Sequence, residues 1–192
     1  MEIEKKLLIN RFPGDPETYE KKEIEQGYLC TSPTLRIRKS NDDYILTYKK
    51  KSDKPLKDGT ICNTEIEAEL DEAAYLHLKE KLDMPPLSKT RYIIPLGSCG
   101  DVCPGVAEED AEQPIKAELD VFHGQLEGLV YTEVEFPSVD AAERFVKPDW
   151  IGEDVSADRR LRNSHLSGLD DTSTLADLIA KSPRFPQAGE HE

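Results

Sequence analysis

Along much of this chain apolar and charged residues alternate with period two, the pattern of strands with one oily face and one polar face. Segments 2–10, 34–40, 43–51, 63–70, 90–96, 115–122 and 128–136 follow it and predict strands. "SNDD" at 40–43 supplies Asn and Asp turn chemistry and joins two of them as a hairpin. Helical spacing appears at 71–82, where Tyr75, Leu78 and Leu82 recur, with acids at the start and lysines near the end. Two further helices are predicted at 138–146, with Ser138 as N-cap, and at 172–182, stopped by Pro183. Residues 97–114 read as a long acidic loop and the last ten as disordered. The expected class is α+β, mainly antiparallel β, with helices covering a sheet.

The polar faces of these strands are ionic and nearly pure in sign. Glu2, Glu4 and Lys6 share one face, with Ile3 behind; Arg36 and Arg38 flank Ile37; Lys49 and Lys51 share a face. Glu65, Glu67 and Glu69 alternate with Ile66 and Ala68; Lys89 pairs with Arg91; Glu118 and Asp120 flank Leu119; Glu133 and Glu135 flank Val134. The number of such pairs decides nothing at this charge content; their place within strands does. Two readings stand: an ordinary sheet with its ionic face in water, or a barrel with that face turned inward. Water-facing sheets usually mix Thr, Ser, Gln and both charge signs, and like charges on neighbouring strands repel. Both points favour the inward face.

Composition narrows the partners. At 192 residues with a formal charge of −14, the chain has no basic footprint for duplex nucleic acid. A polyanion site must concentrate its cations locally. No apolar run approaches membrane-span length and the start lacks a signal-peptide pattern, so a cytoplasmic location is expected, with no membrane partner. Cys30, Cys62, Cys99 and Cys103 are then expected reduced, and without a C-x2-C pair zinc is not favoured. Inward cations suit phosphate oxygens, and inward carboxylates suit Mg²⁺ or Mn²⁺ bridging to them. His77 and His123 read as surface residues, Trp150 as core, and no Ser or Cys triad is present.

Taken together, these stretches resemble the CYTH domains, or triphosphate tunnel metalloenzymes. Glu2-x-Glu4-x-Lys6 matches the E-x-E-x-K signature of their first strand. "EQGYL" at 25–29, "LRIRK" at 35–39, "LTYK" at 46–49, "KTRY" at 89–92, "ELDVFHGQLEGL" at 118–129, "EVEF" at 133–136 and "DWIGEDVSADRRLRN" at 149–163 follow in order. The resemblance spans residues 1–166, with 97–114 as an insertion and 167–192 as an extension carrying a short helix. It implies an eight-stranded antiparallel barrel whose tunnel binds a triphosphate with a divalent metal. The short single-domain pattern is most similar to inorganic triphosphatases, which split tripolyphosphate into pyrophosphate and phosphate, with nucleoside triphosphates as further candidates. Class IV adenylate cyclase, thiamine-triphosphatase and a non-catalytic polyphosphate binder remain as alternatives.

Phosphate contacts then fall to Arg36, Arg38, Lys49, Lys89 and Arg91, with Arg159 either at the tunnel mouth or on the surface. Glu2, Glu4, Glu133 and Glu135 are the expected metal ligands. Glu65, Glu67, Glu118 and Asp120 are expected to serve a second metal or orient water. The resemblance also suggests Lys6 and Tyr28 as a proton-sharing catalytic pair, Lys6 having a lowered pKa; the alternative is a phosphate-binding Lys6 beside a packed Tyr28. A small triphosphate is the expected partner, bound by a monomer or homodimer.

Overall fold

The computed structural model describes residues 3–51 and 63–185. Nine strands form one sheet: β1 (Ile3–Ile9), β2 (Glu20–Thr31), β3 (Thr34–Ser40), β4 (Asp43–Lys51), β5 (Asn63–Glu69), β6 (Leu87–Ser98), β7 (Pro114–His123), β8 (Val130–Phe136) and β9 (Ile151–Asp154). Their order is β5-β4-β3-β2-β6-β7-β8-β1-β9, and every neighbouring pair is antiparallel. The antiparallel, mainly β architecture with helices is as expected. Instead of closing as an eight-stranded barrel, however, the sheet is strongly curled and left open. The reason lies at β1: β9 takes its second edge, opposite Leu7 and Ile9, which a closure onto β5 would need.

The sequence pattern misses β2 and β9. In β2 both faces are polar, because one faces the interior while Glu25 on the other accepts hydrogen bonds from Tyr75 and Lys79. Gly27 in this strand makes room for Leu82: a Cβ there would overlap a Leu82 methyl. Gly27→Ala is expected to cost on the order of 1 kcal/mol through that overlap, read as a lower melting temperature. An unchanged melting curve would mean that Leu82 swings aside freely.

Helices pack where the oily faces require cover. Helix α1 (Glu72–Lys79) starts at Asp71, which accepts from the Ala74 amide at 2.7 Å, and lies over β3 and β4. The acidic stretch 97–114 is not a bare loop. It contains α2 (Cys99–Val102) and α3 (Glu108–Ala111), and α2 buries Cys99 and Cys103 as free thiols. Helix α4 (Val139–Arg144), capped by Ser138 as predicted, presents Ala141 and Ala142 to the same core. That outer core holds Leu7, Ile9, Ile94, Ala117, Leu119 and Val134, from the strand faces opposite the ionic ones, together with Trp150.

A second cluster joins Leu8, Leu87, Phe122 and Tyr131 to Leu161, to Leu166 of α5 (Asn163–Leu166), and to Leu175 and Leu178. The helix expected at 172–182 is a 3₁₀ turn at Ser173–Leu175 followed by α6 (Ala176–Ile179). Of the last ten residues, 183–185 are described: Phe185 packs on Phe12 and Tyr92, with ring centroids 5.1 and 5.8 Å apart. The rest of that stretch lies outside the described residues, as do Glu2 and Cys62. No helix among the described residues is long and apolar enough to cross a membrane.

Candidate active site

Because the sheet curls, the ionic positions of seven strands converge on its concave side. Register places them on shared rungs. Lys49 lies opposite Glu65, Arg36 opposite Tyr28 on one side and Thr47 on the other, and Thr47 opposite Glu67. Across the curl Arg91 faces Asp120, Glu118 faces Glu133, Lys6 faces Glu133, and Glu4 faces Glu135. Between the two walls lies a cavity of about 380 Å³. Among the described residues it is lined by six cationic side chains, Lys6, Arg36, Arg38, Lys49, Lys89 and Arg91, and by four carboxylates, Glu4, Glu65, Glu67 and Glu133. Cations therefore outnumber acids in the cavity of a chain whose overall charge is −14.

The cations differ in how fully they are neutralised. Arg91 is gripped by three carboxylates: Asp120 at 2.7 Å through two nitrogens, Glu133 at 2.6 Å, and Glu118. Lys89, buried, donates to the equally buried Asp120 at 2.5 Å. Arg36 donates to Thr47 at 3.0 Å, which passes a hydrogen bond to Glu67 at 3.1 Å. Lys49 pairs with Glu65 at 3.0 Å. Arg38 makes no ion pair with a described residue, and its Nε, like that of Arg36, is buried without a partner. Burial and the neighbouring Arg36 push the Arg38 pKa below its usual value, so an anion beside it would be stabilising.

Lys6 behaves contrary to the lowered pKa expected of it. Burial pulls its pKa down, but the carboxylates of Glu133, in direct contact, and Glu4, at 3.4 Å, raise it overall. Lys6 is held as an ammonium. Glu133 moves the other way: burial opposes ionisation, but Lys89, Lys6 and Arg91 bring its pKa down to about 2. Burial raises the Tyr28 pKa against the nearby charges of Arg36 and Lys6. Tyr28 is among the residues lining a separate cavity of about 370 Å³, with Cys30, Asp83, Ser164 and Ser167, and its hydroxyl accepts from Gln26 at 3.4 Å.

The structure thus gathers Lys6, Arg36, Arg38, Lys49, Lys89, Arg91, Glu4, Glu65, Glu67 and Glu133 around one space. Glu118 and Asp120 stand behind Arg91 and Lys89 as their anchors and are not among the lining residues. Glu135, exposed, lies opposite Glu4 at the rim, and Arg159 is exposed on a 3₁₀ turn away from the lining. Among the described residues no three His, Cys, Asp or Glu side chains are grouped to hold a metal ion. Sequence reasoning missed Gln26, Thr34, Thr47 and Asn163, which also line the cavity. Thr47 was within reach of the period-two rule, two positions from Lys49; Asn163, on a short helix, carries no such signal.

Known proteins are similar to this chain in sequence and in shape. No protein-family model matches it. It is 35% identical over 170 residues to an inorganic triphosphatase of Nitrosomonas europaea, covering 86% of this chain and 96% of that protein. An inorganic triphosphatase of Acetivibrio thermocellus is 32% identical over 170 residues, covering 86% and 92%. A crystal structure of an inorganic triphosphatase superposes with a TM-score of 0.58 at 31% identity, covering 87% of this chain and 94% of that one.

Proposed function

This chain belongs to the inorganic triphosphatases of the CYTH, or triphosphate tunnel, family, and from that premise we propose that it hydrolyses tripolyphosphate to pyrophosphate and phosphate with the help of a divalent metal. The observation that carries the reading is Arg38, whose Nε is buried without a partner and which makes no ion pair with a described residue, with Arg36 beside it, inside a cavity lined among the described residues by more cations than acids. A linear triphosphate supplies the anionic oxygens that the Arg38 guanidinium lacks among the described residues, and Arg can grip two at once.

In this reading Arg36, Arg38 and Lys49 hold the chain from one wall, while Lys89 and Arg91 meet it from the other. Lys6, already an ammonium, donates to a phosphate oxygen and stabilises charge on the leaving group. The hydrolysis consumes one water, breaks one P–O bond and releases a proton on product ionisation. Phosphoryl transfer asks the protein mostly for positioning and charge neutralisation, which a fixed double wall of ion pairs provides.

The residues also fit a hard divalent cation. Magnesium usually takes only one or two carboxylates and completes its shell with water and substrate phosphates, so a three-acid cluster is not required. Glu4 faces the cavity and lies directly opposite Glu135, a like-charge pair that a cation would relieve. Glu4 and Glu135, with Glu133 beside them, are the acids that would hold Mg²⁺ or Mn²⁺. When bound, the ion would neutralise phosphate charge as the anhydride bond breaks.

The test is a substrate screen with and without metal. Phosphate and pyrophosphate from tripolyphosphate, lost on chelation and restored by Mg²⁺ or Mn²⁺, are the expected result. Cyclic AMP from ATP would identify a cyclase, and binding without turnover a polyphosphate sink. Glu4→Gln preserves shape and is expected to lower turnover about tenfold, roughly 1.4 kcal/mol of transition-state stabilisation. Undiminished activity with an unchanged metal requirement would remove Glu4 from the site.

A further inference from the structure

Strands β3, β4 and β5 carry three successive rungs across the inner face: Thr34–Lys49–Glu65, Arg36–Thr47–Glu67 and Arg38–Ile45–Glu69. The arginines of β3 and the glutamates of β5 are thus always one strand removed from each other. Neighbouring strands lie roughly 4.8 Å apart, so about 10 Å separates β3 from β5. What β4 places on each rung decides how far the acids reach the cations. On the first rung it places Lys49, which pairs with Glu65 at 3.0 Å. On the third it places Ile45, and Arg38 makes no ion pair with a described residue.

The middle rung lies between these cases. Thr47, 2% exposed, accepts from Arg36 Nη2 at 3.0 Å and donates to Glu67 Oε1 at 3.1 Å. The same nitrogen stands 3.7 Å from that oxygen, near enough to attract and too far for a hydrogen bond. β-Branching leaves threonine few side-chain rotamers, so the strand holds the bridging hydroxyl in place. The opposite wall is built differently, with Arg91 bonded directly to Asp120 and Glu133.

We propose that Thr47 is a positioning residue whose hydroxyl fixes the Arg36 guanidinium through a neutral group and keeps it off Glu67, leaving Arg36 free to grip phosphate. A guanidinium closed on a carboxylate in the two-bond geometry must surrender charge-assisted hydrogen bonds before it takes a phosphate in the same way. A single bond to a hydroxyl is weaker, and it leaves other N–H groups of the fork for phosphate oxygens. β4 then acts as an insulating strand between a cationic and an acidic one. This role rests on the triphosphatase reading and adds to it how the grip of this wall is set.

The test is Thr47→Val, which keeps the shape and removes the hydroxyl, beside Thr47→Ser, which keeps the hydroxyl. Kinetics on tripolyphosphate and calorimetric binding of imidotriphosphate, an analogue that resists cleavage, are measured on the full chain with Mg²⁺ or Mn²⁺. In Thr47→Val the guanidinium can close on Glu67, so KM and the analogue's Kd are expected to rise about tenfold while kcat changes by less than about threefold. Thr47→Ser should stay within about twofold of the parent in all three. Adding Glu67→Gln to Thr47→Val removes the competing charge and should bring the Kd back to within about threefold of the parent, a recovery that a merely structural role would not give. Thr47→Ala replaces Thr47→Val if the latter does not fold. An unchanged Kd in Thr47→Val, an equal loss in Thr47→Ser, or no recovery on adding Glu67→Gln would each overturn the inference, while turnover by the parent keeps the triphosphatase reading intact. Absence of turnover by the parent would overturn both.

Discussion

Replacing Arg38 by Ala is expected to lower kcat/KM for tripolyphosphate by roughly 10- to 100-fold, whereas Arg11→Ala leaves it within about twofold. Both variants remove one positive charge, so any general steering of a polyanion toward the protein weakens equally. They differ in place. Arg11 sits in an exposed fork on Asp149, at 2.7 Å through both carboxylate oxygens, and such surface pairs contribute little. Arg38 lies in the cavity with Nε buried and unpartnered and with Arg36 as its neighbour. In the free protein that arrangement is a cost, so Arg38→Ala should melt no lower than the parent, and removal of the unmet charge can raise its melting temperature. Steady-state kinetics and melting curves together check this. Equal kinetic losses in the two variants would mean that Arg38 acts through the overall field and touches no phosphate.

The period-two pattern of ionic positions carried most of this site, because strand alternation converts sequence spacing into a shared face. Arg36 with Arg38, Glu65 with Glu67, and Lys89 with Arg91 follow directly from it. What alternation could not supply was depth within the curl. Glu118 and Glu133 obey the same rule and face each other across β7 and β8, yet only Glu133 lines the cavity. Likewise Glu133 and Glu135 share a face, but one is buried among three cations and the other is exposed at the rim. Local charge balance was also invisible. Lys6 was expected to have a lowered pKa and share a proton with Tyr28, but register sets it opposite Glu133, whose carboxylate raises its pKa. The open edge of the sheet had no sequence signal at all: it depends on the four-residue β9, too short to show a period.

The C-terminal segment teaches a complementary point. Its helix-like spacing at Leu175 and Leu178 was legible, but the partner surface was not, since Leu8, Leu87, Phe122 and Tyr131 come from four separate strands. Those four strands are consecutive in the sheet, so pairing and register bring the side chains together. On β1, β6, β7 and β8 the inner face therefore changes from charged to apolar within two residues.

Asp120→Asn is expected to give the largest loss of stability of any single change at the site. Asp120 is fully buried and neutralises Lys89 at 2.5 Å and Arg91 at 2.7 Å. Stripping its charge leaves the buried Lys89 without its ion-pair partner and Arg91 with two of its three carboxylates, and breaking a buried pair typically costs about 3–5 kcal/mol. For a chain of this size that corresponds to a melting temperature lower by about 6–20 °C. Glu133 adds an acid-sensitive share to the same network. Its folded pKa of about 2 lies below the ordinary 4.5, so protonation favours unfolding. The contribution is complete above that ordinary value and is lost as pH falls through the interval toward about 2. Pairing Asp120→Asn with Lys89→Met separates anchoring from metal binding. If Asp120 serves as an anchor, the double variant loses less stability than the two single losses added together, because Met leaves no stranded ammonium. The metal concentration needed for half-maximal activity should also stay near the parent value in Asp120→Asn. A normal melting temperature with a much higher metal requirement would instead make Asp120 a ligand of the ion.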